Sequence, residues 1–339
     1  MAERFVHKPV WTTPVVLSLA LALAGCDGRL LGPHQPRTPE DARRELSKMG
    51  IQYSQDSFFE GARRGDMDAV RLFVHAGMDV NAGDEAGATA LMYAAEGGSI
   101  EVVRYLVGNG ADLHARAAGG ETVLMYAARG GSIEVVRYIA AFGAEIRATA
   151  ANGATVLMYA AGGGNVEVVR FLVESGADVN ARANNGTTVL MVAAVGGNLE
   201  VVRYLVVNGA QVQDRAANGA TVLMVAAAGG SLEVVRYLVQ HGADIHAKAD
   251  DGATVLMYAA EGGSVEVVGY LVESGVDFLA TTTSGATALG YAQANGSIEV
   301  VDFLVAMGES GDAHGDAGGA AGDAGEALLC LVTFFLVCL

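Results

Sequence analysis

A glycine recurs at Gly87, Gly120, Gly153, Gly186, Gly219, Gly252 and Gly285, each time opening a near-copy of one 33-residue string, GATALMYAAEGGSIEVVRYLVGNGADLHARAAG in its first occurrence. Repetition at this period constrains the fold more than any other feature. A unit of that length is one supersecondary piece that cannot bury its apolar face alone, so neighbours must stack into a solenoid. A more divergent unit precedes the series from Ser54, so eight units occupy 54–86, 87–119, 120–152, 153–185, 186–218, 219–251, 252–284 and 285–317, the last losing the pattern after Gly308.

Start and stop signals recur in phase. Thr89, Thr122, Thr155, Thr188, Thr221, Thr254 and Thr287 stand where a first helix needs an N-cap, with Asp56 expected in the first unit. Ser99, Ser132, Asn165, Asn198, Ser231, Ser264, Ser297 and Asp66 cap a second helix, and a glycine ends it from Gly77 through Gly275 to Gly308. Asn152-Gly153, Asn185-Gly186, Asn218-Gly219 and Asp251-Gly252 supply turn dipeptides for a hairpin finger between units. Within the second helix, Glu101, Glu134, Glu167, Glu200 and Glu233 precede an arginine by three residues, a spacing that predicts exposed intrahelical ion pairs.

The A-T-x-L, A-A-x-x-G, E-x-V and G-A-D-V-N-A elements at these positions resemble the ankyrin repeat, as does the period. The resemblance implies an all-α repeat solenoid of helix-turn-helix units with short β-hairpin fingers, and a non-catalytic scaffold that binds a protein partner. Two departures stand out: the family's Thr-Pro-Leu-His opening here has Val or Ala for Pro, and Met92, Met125, Met158, Met191, Met224 and Met257 for His. Apolar packing is expected to replace the histidine network. Ankyrin proteins generally recognise partners through fingertips and the exposed side of the first helices. By position, that side includes Arg63, Glu96, Arg129, Val195, Ala228 and Glu261, together with Gly162 and Ala294. Beside it runs a second row, Tyr93, Tyr126, Tyr159, Val192, Val225 and Tyr258, continued by Tyr291, which serves either as core or as interface anchors. Gly162, Val195 and Ala228 beside Val192 and Val225 predict an apolar saddle between charged flanks.

The ends of the chain carry other signals. Arg4 and Lys8 precede the apolar run Val15 to Ala24, which closes on Gly25 and Cys26. Basic, apolar, then small residues mark a secretory signal, and ten apolar residues are too few to span a bilayer. Leu23-Ala24-Gly25-Cys26 resembles the lipobox of bacterial lipoproteins, which implies cleavage after residue 25, acylation of Cys26, and a protein exported and lipid-anchored facing the periplasm or cell surface. An ordinary signal peptide is the alternative. Residues 26–37 form a Pro-containing linker. Residues 38–53 hold a capping helix, with Thr38 as N-cap, Pro39 at the first position, Ala42, Leu46 and Met49 on one face and Gly50 as the stop. Residues 318–326 are a Gly/Ala/Asp linker and 327–339 a short apolar tail; in a eukaryote this end would resemble a glycolipid-anchor signal.

Other chemistry finds little purchase. The 21 basic and 38 acidic side chains repel phosphate backbones, so nucleic acid is not an expected partner. Cys26, Cys330 and Cys338 leave the array free of thiols, hence of disulfides and Cys-based metal sites. No HExxH, GxSxG or P-loop string occurs, so no enzyme activity, cofactor, metal or small-molecule substrate is expected. His114 and His246 take turn positions, and Asp250-Asp251-Gly252 is too small a ligand set for calcium. A regulatory or immunity-type subunit for an enzyme encoded nearby is the second functional expectation.

Overall fold

The computed structural model describes residues 38–309, and among them every regular element is α-helical. The expected signal, lipidation cysteine and 26–37 linker, and the expected linker and apolar tail beyond residue 309, lie outside the described residues. After α1 (Pro39–Lys48) the chain runs as helix pairs. First helices span Gln55–Arg64, Ala90–Gly97, Val123–Gly130, Val156–Gly163, Val189–Val195, Val222–Ala228, Val255–Gly262 and Ala288–Asn295. Second helices span Met67–His75, Ile100–Gly108, Ile133–Ala141, Val166–Glu174, Leu199–Val207, Leu232–Gln240, Val265–Glu273 and Ile298–Glu309. Each helix packs on its own partner and on the equivalent helix of the next pair, the first helices more extensively than the second.

The helices start where the caps dictate. In most first helices the threonine hydroxyl accepts from the methionine amide three residues on, at 3.2 to 3.4 Å for Thr89, Thr122, Thr155, Thr188 and Thr221. The methionine reciprocates: the Thr89, Thr122, Thr221 and Thr254 amides donate to the sulfur of Met92, Met125, Met224 and Met257 at 3.4 to 3.5 Å. Methionine in place of histidine thus keeps one polar contact while its stem lies in the core. In the first unit the cap is Ser54, not Asp56, which sits in the first turn; Ser54 Oγ accepts from the Ser57 amide. Gly308 does not stop the last helix, which continues to Glu309. On α1, Thr38 caps as expected, and Ala42 and Leu46 are fully buried against Met67–His75, whereas Met49 turns outward. Arg43 and Tyr53 both donate to the Ala76 carbonyl, closing this end of the stack.

One core runs the length of the array. Leu91, Leu124, Leu157, Leu190, Leu223 and Leu256 are at most 1% exposed, and the adjacent methionines and paired alanines are equally closed off. The expected hairpin fingers are reduced to single antiparallel bridges, such as Thr149 to Thr155 and Arg182 to Thr188. Their turns also differ from the expected two-residue type. The Ala150 carbonyl accepts from the Gly153 amide, so Ala151 and Asn152 are central and Gly153, at φ 81°, closes the turn in the left-handed region. Fingers are tied to one another by their backbones: Ala118, Ala151, Asn184, Ala217, Asp250 and Thr283 each donate an amide to the tip of the preceding finger at 2.7 to 3.1 Å. A Cβ on Gly186 would come within 2.6 Å of the Ala217 amide, so the ladder as well as the turn demands glycine.

The second helices correct another expectation. None of the Glu–Arg pairs expected at a spacing of three is among the ion pairs of the described residues; Arg104 instead reaches Glu134 of the next unit at 3.8 Å. Each arginine lies over the aromatic ring of the following unit: Arg71 on Tyr105, Arg104 on Tyr138, Arg137 on Phe171, Arg170 on Tyr204, Arg203 on Tyr237 and Arg236 on Tyr270, at 4.9 to 5.8 Å from the ring centre. The planar guanidinium can lie on a ring face while its outer side stays in water, and an ion pair with an exposed carboxylate one turn away is screened and contributes little against that contact. The ladder breaks at Gly269, opposite Phe303, where a Cβ would meet only the ring tip at 3.9 Å. Gly269→Arg is therefore expected to stabilise the last two units by about 1 to 2 kcal/mol, combining helix propensity with a cation–π contact. The urea midpoint checks this; a lower midpoint would show that the ladder does not extend to Phe303.

Candidate binding face of the first helices

The end of each first helix decides how much of this face is open. Gly97, Gly130, Gly229 and Gly262 approach the preceding unit so closely that a Cβ would fall 1.9, 2.0, 2.5 and 2.4 Å from the carbonyl oxygens of Arg63, Glu96, Val195 and Ala228. This contact clamps successive first helices together. One row of expected site residues is shut between the first helices along the middle and C-terminal part of the array: Tyr159, Val192, Val225 and Tyr258 are 2 to 7% exposed. They are core in place, and the apolar saddle loses Val192 and Val225. Gly162, Val195 and Ala228 remain half-buried, so the middle of the face is shallow and made of small side chains.

The N-terminal part is different. Phe59 stacks on Tyr93 with centroids 5.4 Å apart, and Tyr93 meets the edge of Tyr126 at 6.4 Å. Tyr93 donates its hydroxyl to Asp84 Oδ2 at 2.6 Å, and burial pushes its ionisation well above the usual phenol range. Burial likewise raises Tyr126 to about 12, with Arg129 opposing the shift. Glu96 and Arg129 form a 2.7 Å ion pair, 23% and 13% exposed, and the guanidinium lies 5.0 Å from the Tyr126 ring centre. Arg63 is exposed and is shared with Glu60, whose other oxygen takes Arg64. The Arg63 hydrogen bond holds the Glu60 carboxyl below its ordinary range. Phe59, Glu60 and Asp84 were not legible as parts of this face, since the first unit and its finger diverge most from the repeat.

Toward the C-terminal end the charge pattern inverts. Glu261 is half-buried and has neither an ion pair nor a hydrogen bond among the described residues, and burial raises its carboxyl to about 7. A carboxyl raised from 4.5 to about 7 makes the fold bind its proton more tightly than the unfolded chain does. This group's contribution therefore declines as pH climbs between those values and stays flat above them. Glu261→Gln is expected to raise stability at pH 8 by about 1 kcal/mol, reduced for partial exposure, and to leave it unchanged at pH 4. Paired denaturation curves at the two pH values measure this; a gain of equal size at both would assign it to something other than the buried charge.

Among the described residues no helix is long and apolar enough to cross a membrane. No group of three His, Cys, Asp or Glu side chains among them is placed to hold a metal ion. A family model described as ankyrin repeats (3 copies) matches residues 58–117, 109–183, 180–249 and 245–314. No curated protein matches the chain.

Proposed function

The chain belongs to the ankyrin-repeat family, and on that premise we propose that it is a non-catalytic scaffold of eight ankyrin units, exported and lipid-anchored through Cys26, that holds a protein partner on the first-helix face and the adjoining fingertips. The observation that carries the reading is the family match across residues 58–314. Supporting it, a nearly invariant frame presents one variable residue per unit, in order Arg63, Glu96, Arg129, Gly162, Val195, Ala228, Glu261 and Ala294. A scaffold that holds shape constant while varying one outward residue per layer encodes partner choice in that residue. The lipobox-like string ending at Cys26 supports the anchored part of the proposal.

Cross-linked capture of the exported protein, followed by mass spectrometry, tests the binding role. Val195→Lys with Ala228→Lys places two long side chains whose heads reach water from half-buried positions. The variant is expected to melt within a few degrees of the parent and to lose the partner. A well-folded double variant that keeps its complex would move recognition to the fingertips around Asn152, Asn185, Asn218 and Asp251. For the anchor, Cys26→Ser is expected to abolish incorporation of labelled fatty acid and release the protein from membranes. Membrane retention without label would overturn lipidation at this cysteine.

A further inference from the structure

The array contains one position twice, once filled and once not. In the filled instance the Glu96 carboxylate takes the Arg129 guanidinium at 2.7 Å, the guanidinium lies 5.0 Å from the centre of the Tyr126 ring, and Tyr93 stands behind that ring. Five repeat lengths further on, the same positions are Glu261, Ala294, Tyr291 and Tyr258. Carboxylate and both rings are kept, and only the arginine is replaced, by an exposed alanine.

We propose that Glu261, with Tyr291 beside it and Ala294 opposite, receives the guanidinium of an arginine presented by the protein partner. The inference rests on the scaffold reading above and gives that partner a chemistry. Several observations favour a cation. The flanking first helices, Val222–Ala228 and Ala288–Asn295, bring no charge to the site. The other charge that acts on Tyr258 and Tyr291 besides Glu261 is Asp251, also negative. A half-buried carboxylate without a counter-charge costs free energy that an arriving cation recovers. Geometry selects arginine over lysine: a planar guanidinium can lie over the Tyr291 ring while it bridges to the carboxylate, as Arg129 does over Tyr126, whereas an ammonium is a point charge that gives up more hydration. Burial holds the empty carboxyl near 7, and an occupant should return it to the ordinary range.

The full chain, carrying a labelled Ala294 methyl, is titrated by nuclear magnetic resonance with acetyl-arginine amide and with its lysine and citrulline counterparts. A saturable shift with the arginine compound is expected, at least ~10-fold tighter than with citrulline, which has the shape without the charge. Glu261→Gln should abolish it. In Ala294→Arg the chain supplies its own guanidinium, so the Glu261 titration should drop from about 7 into the usual carboxylate range. Equal response to citrulline, a response that survives Glu261→Gln, no saturable response in the parent, or a Glu261 titration unmoved in Ala294→Arg would each overturn the proposal. Partner capture separates this from the scaffold reading. If Val195→Lys with Ala228→Lys loses the partner while Glu261→Gln keeps it, the arginine site falls alone. If Glu261→Gln loses the partner while Val195→Lys with Ala228→Lys keeps it, the arginine site stands and the central binding face is misplaced.

Discussion

Gly130→Ala is expected to destabilise the protein by about 3 kcal/mol, although alanine is the better helix former by about 1 kcal/mol. Gly130 ends the helix Val123–Gly130, and a methyl there would lie 2.0 Å from the Glu96 carbonyl oxygen and 2.7 Å from its carbon. Both obstacles are backbone, so relief requires the two first helices to part. That separation would open a close-packed interface between first helices and strain the Glu96–Arg129 pair beside it. Gly196, two units on at the same position, is the control. Its nearest obstacles are at 3.5 Å or beyond, so Gly196→Ala is expected to be neutral or slightly stabilising. Chemical denaturation of the two variants measures the contrast, and amide exchange should show protection lost around residues 90–130 in the first only. Equal effects would mean that the glycine row serves local conformation and not helix approach.

Leu190→Ala is expected to cost about 2 to 4 kcal/mol, from lost transfer free energy plus the cavity left between stacked helices. Leu190 is 1% exposed, and its neighbours Val189 and Met191 are fully buried, so little can collapse into the space. In a stack whose stability is a sum of units and nearest-neighbour interfaces, damage at a central unit weakens both flanking interfaces at once. The transition is therefore expected to broaden or split as well as shift. A loss under about 0.5 kcal/mol would show that this position is not core.

The division between what could be foreseen and what could not follows the range of the interactions. Signals that act within four residues were legible. The Thr38 cap, the threonine caps from Thr89 to Thr221, the Ser and Asn caps of the second helices from Ser99 to Ser264 and the left-handed glycines from Gly77 to Gly275 appear where the string places them, whereas the Thr254 hydroxyl makes no cap hydrogen bond. Each depends on one side chain and one nearby amide, or on one φ angle, and such preferences survive in any context. Failures even at this range came from competition. Ser54 outdid Asp56 because a cap two residues earlier gains another half-turn of helix, and Gly308 yields to a helix that runs on to Glu309.

Amino-acid order alone thus determined the period, the paired helices, the caps and the identity of the stacked core, because a 33-residue unit carrying two amphipathic stripes has no other way to bury them. Only the tertiary structure decided which neighbour each long or exposed side chain meets. The arginines of the second helices pass over the glutamates three residues away to reach rings 34 residues on. Tyr159 and Tyr258 are closed off while Tyr93 and Tyr126 are not, and Glu96 finds Arg129 while Glu261 finds no counter-charge. Those outcomes depend on which side chains of the neighbouring units stand opposite each residue once the helices are stacked, and that pairing is a property of the stack that no single repeat contains.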